Sequence, residues 1–313
     1  MAVLRLGTRA SLLARTQSGH VADMVRERLG VEVELVPVTT EGDVNRTPLA
    51  QMGGTGVFVS ALRDALIDGL CDFAVHSLKD LPTEPCEGIA LAAIPTREDP
   101  RDVLVARDGL TLGELPPGSV VATGSPRRAS QLNALGLGLE VVGLRGNIDT
   151  RLGKVTSGEA DGVILARAGL SRIDRLDVIT ESLDPLQMLP APGQGALAIE
   201  CRSADVELVA QLAAALDDAD TRAAVTAERA VLRTLEAGCS APVGALAEVV
   251  SGGEGDAELW LRAVVLSHDG AVNMRRSATG PVADAAEVGN RLGTGMLEEG
   301  AAELIHTPAK RQH

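Results

Sequence analysis

The sequence predicts an α/β protein that ends in a smaller α+β segment. Over the first two-thirds of the 313 residues, short β-branched runs alternate with helical patterns, which is typical of a mostly parallel sheet with helices on both faces. The C-terminal segment instead contains strand patterns near 243–250, 258–267 and 271–277, and a helix after Asp284. The chain is long enough for two or three domains with cores of their own.

The first stretch is predicted to hold four strands and two helices. Residues 11–29 form an amphipathic pattern that Ser11 can cap, and a second helix near Phe58 follows the glycine-rich loop 51–56. The polar segment 96–102, TREDPRD, interrupts the rhythm and is interpreted as a hinge. The predicted strands are the runs 3–8, 31–38, 72–77 and 89–94.

A second stretch repeats this pattern, with a helix from Pro126 and another before residue 162. The segment LPAPGQGALAIE, 189–200, then combines a proline-rich crossing between domains with one more strand. In it, Gly193 and Gly195 flank Gln194 and allow close backbone approach. The remaining predicted elements are strands at 103–106, 120–123, 139–144 and 162–166 and helices at about 203–216 and 222–236.

Composition argues against several classes of function. The formal charge is −14 and only three residues are aromatic, so the basic field and the stacking rings of a nucleic-acid-binding protein are missing. Four cysteines without C-x-x-C spacing argue against a zinc site and a disulfide framework. The N-terminus lacks an apolar signal core and no run is long enough to span a membrane, so a cytoplasmic protein is expected.

Anion binding is predicted at two strand-to-helix turns, 8–11 and 123–130. Each turn places hydroxyls and arginine where free backbone N–H groups and the helix dipole favour anions. Two such lobes facing each other would form an anion-binding cleft. Five nearby cations indicate a carboxylate or phosphate site, with a pair of solvated helix faces as the alternative. These cations are Arg127, Arg128, Arg145, Arg151 and Lys154.

Another candidate site is the segment HSLKDLPT, residues 76–83. Ser77, Lys79 and Asp80 follow a predicted strand at its carboxyl end, which is where ligands bind in open α/β sheets. The alternative is a surface Lys–Asp pair in a turn, which contributes little to stability. Further along, the loop LEAGCSAPVG, 235–244, holds Cys239, which is either an inert filler or a thiolate available for attachment.

Eight motifs, taken in order, resemble the porphobilinogen deaminase (hydroxymethylbilane synthase) family of tetrapyrrole and haem biosynthesis. They cover roughly residues 3–245, and the tail fits the family's small C-terminal domain. The motifs are LRLGTRAS, AVHSLKDLPT, REDPRD, ATGSPRR, LRGNIDTRL, AGLSRI, PGQGALAIECR and EAGCSAPVG.

The resemblance implies three domains: 1–95 with 196–215, then 101–190, then 218–313. The first two would be periplasmic-binding-protein-like (type II) α/β domains and the third α+β. It also implies a transferase that condenses four porphobilinogen molecules head to tail with loss of ammonia and releases the linear tetrapyrrole by hydrolysis. A dipyrromethane cofactor, joined by a thioether to Cys239, would prime the chain. A cytoplasmic monomer without metal, nucleic-acid or membrane partners is implied as well.

Residue roles follow from the same resemblance. Asp80 matches the family's catalytic aspartate, where a buried carboxylate would stabilise the azafulvene cation and relay protons. Because each pyrrole ring carries an acetate and a propionate, an acidic protein needs fixed cations to hold the growing chain. Matching cofactor positions are Ser77, Lys79, Asp80, Thr123, Ser125, Arg127, Arg128, Arg145, Gly146 and Cys239. Matching substrate positions are Arg9, Ser11, Arg145, Arg151, Arg172 and Gln194.

One segment departs from the family pattern. The loop Gly53-Gly54-Thr55-Gly56 lacks the lysine that is common there, so flexibility and not a cationic lid is predicted for it. A competing hypothesis is a non-catalytic anion-binding protein with the same two-lobe architecture. The missing export signal and the cysteine loop count against that hypothesis.

Overall fold

The structure is a computed structural model that describes residues 3–38, 56–238, 241–251 and 257–306. The predicted glycine-rich loop, apart from Gly56, and Cys239 lie outside these residues. The described chain forms three β-sheets, two of five strands and one of three.

The N-terminal elements occur where the sequence predicts them. Ser11 caps the first helix by accepting a hydrogen bond from the Ala14 N–H at 3.4 Å, and Gly30 ends that helix in the left-handed conformation. The predicted cap is therefore confirmed. The elements are β1 (Leu4–Thr8), α1 (Leu12–Leu29), β2 (Val33–Pro37), α2 (Gly56–Ile67), β3 (Phe73–Ser77) and β4 (Ile89–Ala93).

The next eight elements repeat this alternation. The first strand begins at Asp102, one residue earlier than predicted, so Asp102 belongs to a buried strand and not to the polar segment before it. The short helix and the two-residue strand that end the list were not predicted, because they are too short to show a period. The elements are β5 (Asp102–Ala106), β6 (Val120–Thr123), α3 (Pro126–Ala134), β7 (Glu140–Gly143), α4 (Ile148–Thr156), β8 (Gly162–Ala166), α5 (Arg167–Arg172) and β9 (Glu181–Ser182).

The last part of the chain returns to a strand and two helices and then forms the small sheet. That sheet is antiparallel with the order β11-β12-β13, and helices pack on one of its faces. The elements are β10 (Leu197–Arg202), α6 (Val206–Leu216), α7 (Ala219–Thr234), β11 (Val243–Val250), β12 (Glu258–Leu266), β13 (Asn273–Pro281), α8 (Ala285–Glu298) and α9 (Ala301–His306).

The two five-stranded sheets share one topology. Their orders are β2-β1-β3-β10-β4 and β7-β6-β8-β5-β9. In each sheet four strands run in one direction, and the fifth, β10 or β5, is antiparallel to both of its neighbours. The predicted α/β class with a small C-terminal α+β segment is confirmed. The reversed strand was not predicted, because strand direction depends on the path of the chain and not on local pattern.

By contacts, the chain divides into two compact units. One comprises Met1–Glu98 with Gly195–Arg222, and the other comprises Asp99–Gln194 with Ala223–His313. Their cores are built mainly from Ala, Val, Leu and Ile, with Phe73 fully buried in the first unit. The three-domain division given above stays a prediction. Among the described residues, no helix has both the length and the apolarity to cross a membrane.

A buried carboxylate links β10 to β3 and α2 in the first unit. Glu200 accepts hydrogen bonds from Arg63 at 2.6 and 3.0 Å, and His76 Nε2 lies 3.2 Å from its Oε2. Burial by itself would raise the pKa of Glu200, but the contacts with His76 and Arg63 lower it to about 2.

This depressed pKa predicts how acid affects stability. The folded pKa lies below the ordinary value of 4.5, so the stabilisation is complete above about pH 4.5 and is lost as the pH falls towards 2. We expect Glu200→Gln to lower the free energy of unfolding near neutral pH by roughly 2–3 kcal/mol and to flatten its decline in acid. Denaturant titrations over a pH series measure both effects. The exposed Glu207→Gln is the matched control, and an unchanged acid slope in Glu200→Gln would contradict the assignment.

Candidate active site

The segment after β3 forms one 3-10 turn, Leu78–Asp80. Leu78 is fully buried and its N–H donates to the Ala196 carbonyl at 3.0 Å, which holds the turn against the sheet. Lys79 is partly buried, whereas Asp80 is exposed. The family resemblance implies a buried carboxylate here, but Leu78 and Leu81 occupy the interior and leave Asp80 at the surface. Within the described part of the chain, the Asp80 carboxylate has no hydrogen-bond or ion-pair partner.

The Ser77 hydroxyl is hydrogen-bonded to a side chain of the neighbouring helix α1. Its Oγ accepts a hydrogen bond from Gln17 Nε2 at 3.0 Å, and Gln17 is buried on α1. Sequence reasoning missed Gln17, although an amide on the buried stripe of an amphipathic helix is a signal that could have identified it. At the start of the same helix, the Ser11 hydroxyl is engaged as the cap, and Arg9 is partly buried in the preceding turn.

In the second unit, two hydroxyls organise the turn between β6 and α3. Thr123 Oγ1 accepts a hydrogen bond from the Ser125 N–H at 3.2 Å, and Ser125 Oγ accepts one from the Arg128 N–H at 3.4 Å. A Cβ atom at Gly124 would lie 2.4 Å from the Leu144 carbonyl oxygen, so only glycine fits this close approach. The turn therefore positions the helix start that the sequence predicts as an anion site.

Asp102 brings three predicted site residues together. It is fully buried, and its Oδ1 accepts from Arg128 Nε at 3.1 Å, Arg128 Nη2 at 2.7 Å and Gln194 Nε2 at 2.8 Å. Arg127 Nη1 lies 2.8 Å from Oδ2, as an ion contact without hydrogen-bond alignment. Sequence reasoning missed this role because Asp102 was assigned to a polar hinge. The signal available was a carboxylate directly before the apolar run VLVA.

The two arginines are thus internal ion-pair partners as well as candidate ligand contacts. Only 4% of Arg127 and 5% of Arg128 is exposed, and Arg128 Nη1 also donates to the Ile164 carbonyl at 3.0 Å. Burial would raise the pKa of Asp102, but both guanidinium groups hold it well below its usual range. Burial lowers the pKa of Arg127. Among the described residues, Arg127 Nε has no hydrogen-bond partner.

The other predicted cations of this unit lie on later turns and helices. Arg145 is exposed after β7, and Gly146 follows it with a φ of 102°. Arg151 Nε donates to the Gly146 carbonyl at 2.8 Å, so these two residues are paired. Arg172 is the last residue of α5 and is partly buried.

The structure describes the helix before the Cys239 loop and the strand after it, although Cys239 itself lies outside the described residues. The helix α7 ends at Thr234 and β11 begins at Val243. The carboxylate of Glu228, fully buried on α7, accepts from the Gly193 N–H at 2.6 Å and the Ala247 N–H at 2.9 Å. Glu228 therefore joins α7, the PGQG segment and β11, and it was also missed from the sequence.

Two protein-family models match this chain. Residues 4–210 match the model described as "Porphobilinogen deaminase, dipyromethane cofactor binding domain", and residues 222–298 match "Porphobilinogen deaminase, C-terminal domain". Porphobilinogen deaminase 1 of Streptomyces avermitilis is 58% identical over 99% of this chain and 98% of its own length. Porphobilinogen deaminase of Mycobacterium tuberculosis is 58% identical over 97% and 98%. Among solved structures, an ancestral cationic amino acid solute binding protein matches 68% of this chain and 87% of its own, at 19% identity and a TM-score of 0.44.

The two matched domains and the near full-length identity define a class of protein, a transferase of tetrapyrrole biosynthesis that carries a dipyrromethane cofactor. The chain belongs to the porphobilinogen deaminase family. The family predicted from the eight sequence motifs is confirmed.

The Asp102 contacts predict the effect of removing their charge. Asp102→Asn leaves two buried guanidinium groups without a counter-ion, so we expect a loss of about 3–5 kcal/mol in the free energy of unfolding. Chemical denaturation of the purified variant measures the loss. The control is Asp108→Asn, since Asp108 is exposed and pairs with Arg107 at 2.8 Å, and it should change stability by less than about 1 kcal/mol. Equal stability of the two variants would contradict the assignment.

Proposed function

We propose that this chain condenses four porphobilinogen molecules head to tail into hydroxymethylbilane, with release of ammonia, and that Asp80 is its catalytic carboxylate. The observation that carries the proposal is the position of Asp80. It matches the family's catalytic aspartate and lies on a turn at the carboxyl end of β3. Its carboxylate has no partner within the described residues and is therefore available to a ligand.

Asp80 fits the proton transfers that the condensation requires. A carboxylate accepts the proton that a pyrrole carbon loses, delivers one to the leaving amine, and stabilises the cation that forms when ammonia departs. The buried Leu78 beside it keeps the turn in place, so the carboxylate does not have to be positioned by the ligand. Lys79, next in the chain, supplies a cation for the carboxylates of the ligand.

The residues proposed to hold the dipyrromethane cofactor fit a ligand with several carboxylates. They are arginine, lysine and hydroxyl donors, and Arg127 Nε is a buried donor without a partner in the described chain. Arg127 and Arg128 share one counter-ion, Asp102, so the three side chains keep one net positive charge for a ligand. When bound through Cys239, the cofactor supplies the pyrrole carbon from which the chain grows. The hydroxyls of Ser77, Thr123 and Ser125 and the residues Arg145 and Gly146 complete the proposed set.

The residues proposed for the substrate are of three kinds. Arg9, Arg145, Arg151 and Arg172 are cations, and Ser11 is a capping hydroxyl whose proton remains available as a donor. Gln194 differs, because its Nε2 donates to the Pro100 carbonyl at 2.7 Å and to Asp102 at 2.8 Å. We therefore describe Gln194 as a positioning residue that acts through Asp102. We also propose a cytoplasmic monomer with the three domains given above.

Removing the Asp80 carboxylate should abolish turnover without unfolding the protein. Because Asp80 is exposed, we expect Asp80→Ala to melt like the parent, and to lose at least about a hundredfold in the rate of porphobilinogen consumption. The matched control is Asp68→Ala, an exposed carboxylate just after α2, which should retain the parental rate. Turnover by Asp80→Ala within about twofold of the parent would refute the catalytic role.

The anchor is tested by intact mass. Protein made in a host that synthesises tetrapyrroles should be heavier than the bare chain by the mass of the dipyrromethane, and Cys239→Ser should have the bare mass. Cys86→Ser is the control and should keep the added mass, since Cys86 is a partly buried thiol without a proposed role. Added mass in Cys239→Ser would show another anchor. A bare parental chain would favour the non-catalytic anion-binding hypothesis.

A further inference from the structure

The small C-terminal sheet has one face that its helices do not cover. Along β12, Leu259, Leu261 and Ala263 point into the core beneath α8 and α9. The alternate residues lie on the opposite face, which we call the outer face. One end of the outer face is covered, because Val264 packs with Leu189. The other end is open and carries Trp260, which is 52% exposed.

A pocket lies where the covered part of the outer face meets the open part. Its volume is about 220 Å³. This is below the range of about 300–1,000 Å³ that is usual for drug-sized ligands, so the pocket fits a single small ring and not a nucleotide or a tetrapyrrole. Its lining combines two chemistries: the arginines Arg262, Arg275 and Arg276, and the apolar residues Pro185, Leu186 and Leu189.

The three arginines differ in their partners. Arg262 pairs with Glu248 at 2.7 Å, and Arg276 pairs with Glu299. In the ranges that the structure describes, the Arg275 guanidinium has neither a hydrogen-bond acceptor nor an ion-pair partner. In the sheet register Arg275 is opposite Val264, which is apolar, and partial desolvation lowers its pKa although the residue is exposed. An exposed guanidinium without a counter-ion is available to pair with an incoming anion.

The apolar side of the pocket restricts the ligand further. Leu186 is 71% exposed, so the pocket presents an uncovered apolar wall next to the unpaired cation. A guanidinium fork pairs bidentately with a carboxylate, while Leu186 gains only if an apolar body covers it. An inorganic anion would satisfy Arg275 alone, and a neutral ring would satisfy only Leu186.

We propose that this pocket is a second binding site, for a small carboxylic acid carried on a single apolar ring. None of its lining residues is among the catalytic, cofactor or substrate residues proposed above, so the site goes beyond that function. The ligand carboxylate would pair with Arg275 and its ring would lie against Pro185 and Leu186.

The chain contains a built-in reporter for this site. Trp260 is its single tryptophan and there are no tyrosines. In the sheet register Trp260 is opposite Thr279, and the neighbouring pair on the same face, Arg262 and Ser277, lines the pocket. A ligand in the pocket should therefore change the tryptophan emission.

The test is a titration of the holoenzyme with pyrrole-2-carboxylate, followed by Trp260 emission and by calorimetry. Pyrrole-2-carboxamide has the same ring without the charge, and inorganic phosphate has charge without the ring. We expect saturable binding of the carboxylate, and at least about tenfold weaker binding of each comparison compound, because the carboxamide loses the charge-assisted hydrogen bond and phosphate loses the burial of the apolar ring. The proposal would be overturned if neither measurement showed saturable binding of pyrrole-2-carboxylate. It would also be overturned if the carboxamide or phosphate bound with the same affinity as pyrrole-2-carboxylate.

Variants decide whether that binding occurs in this pocket. Arg275→Gln should weaken pyrrole-2-carboxylate binding by at least about tenfold, and Arg275→Lys should weaken it less, because lysine keeps the charge but loses the fork. The matched control is Arg291→Gln on α8, where Arg291 Nη2 donates to the Thr279 carbonyl at 2.9 Å and does not line the pocket. Its affinity should equal that of the parent, and all three variants should turn over porphobilinogen normally. Parental affinity in Arg275→Gln would show that the acid binds elsewhere and would overturn the proposal.

Discussion

Two arginines are buried in the second compact unit, and the single carboxylate of Asp102 is the counter-ion that they share. Removing charges from water costs several kcal/mol of free energy for each ion. The attraction between the charges offsets this cost only when the partners are close and the remaining polar atoms are hydrogen-bonded. Arg128 meets this condition through Asp102 and the Ile164 carbonyl. One carboxylate consequently holds together the start of β5, the first turn of α3 and the PGQG segment.

This arrangement also bears on the cofactor site proposed above, which an acidic protein has to provide for a ligand with several carboxylates. The chain has a net charge of −14, so its average surface repels carboxylates. Arg127 and Arg128 share one counter-ion, which leaves a local positive charge on side chains that are already ordered. A cofactor bound there, as proposed, would lose no free energy in ordering flexible arginines, which is the advantage of a preorganised site.

The turn that carries Asp80, in the first unit, is held in place without an ion pair. The buried Leu78 fixes the turn through apolar packing and one backbone hydrogen bond, so the neighbouring carboxylate needs no ion pair of its own. The structural carboxylates are thus separate from the carboxylate proposed to be catalytic: Asp102 and Glu200 are buried and ion-paired, whereas Asp80 is exposed on its turn. This separation fits the proposed role of Asp80 in proton transfer, because no ion pair among the described residues depends on its charge.

The sequence by itself determined the order and type of most elements, the Ser11 cap and the family, because these depend on local periodicity, capping chemistry and motifs that are contiguous in the chain. It did not determine the reversed strands β5 and β10, since direction within a sheet follows from where the chain returns. Nor did it reveal that Arg127, Arg128 and Gln194 converge on Asp102, because those residues are separated by up to 92 positions and only tertiary packing brings them together. Local pattern predicted which residues are charged. Burial, which is a property of the folded chain, decided which of those charges are paired internally and which remain exposed.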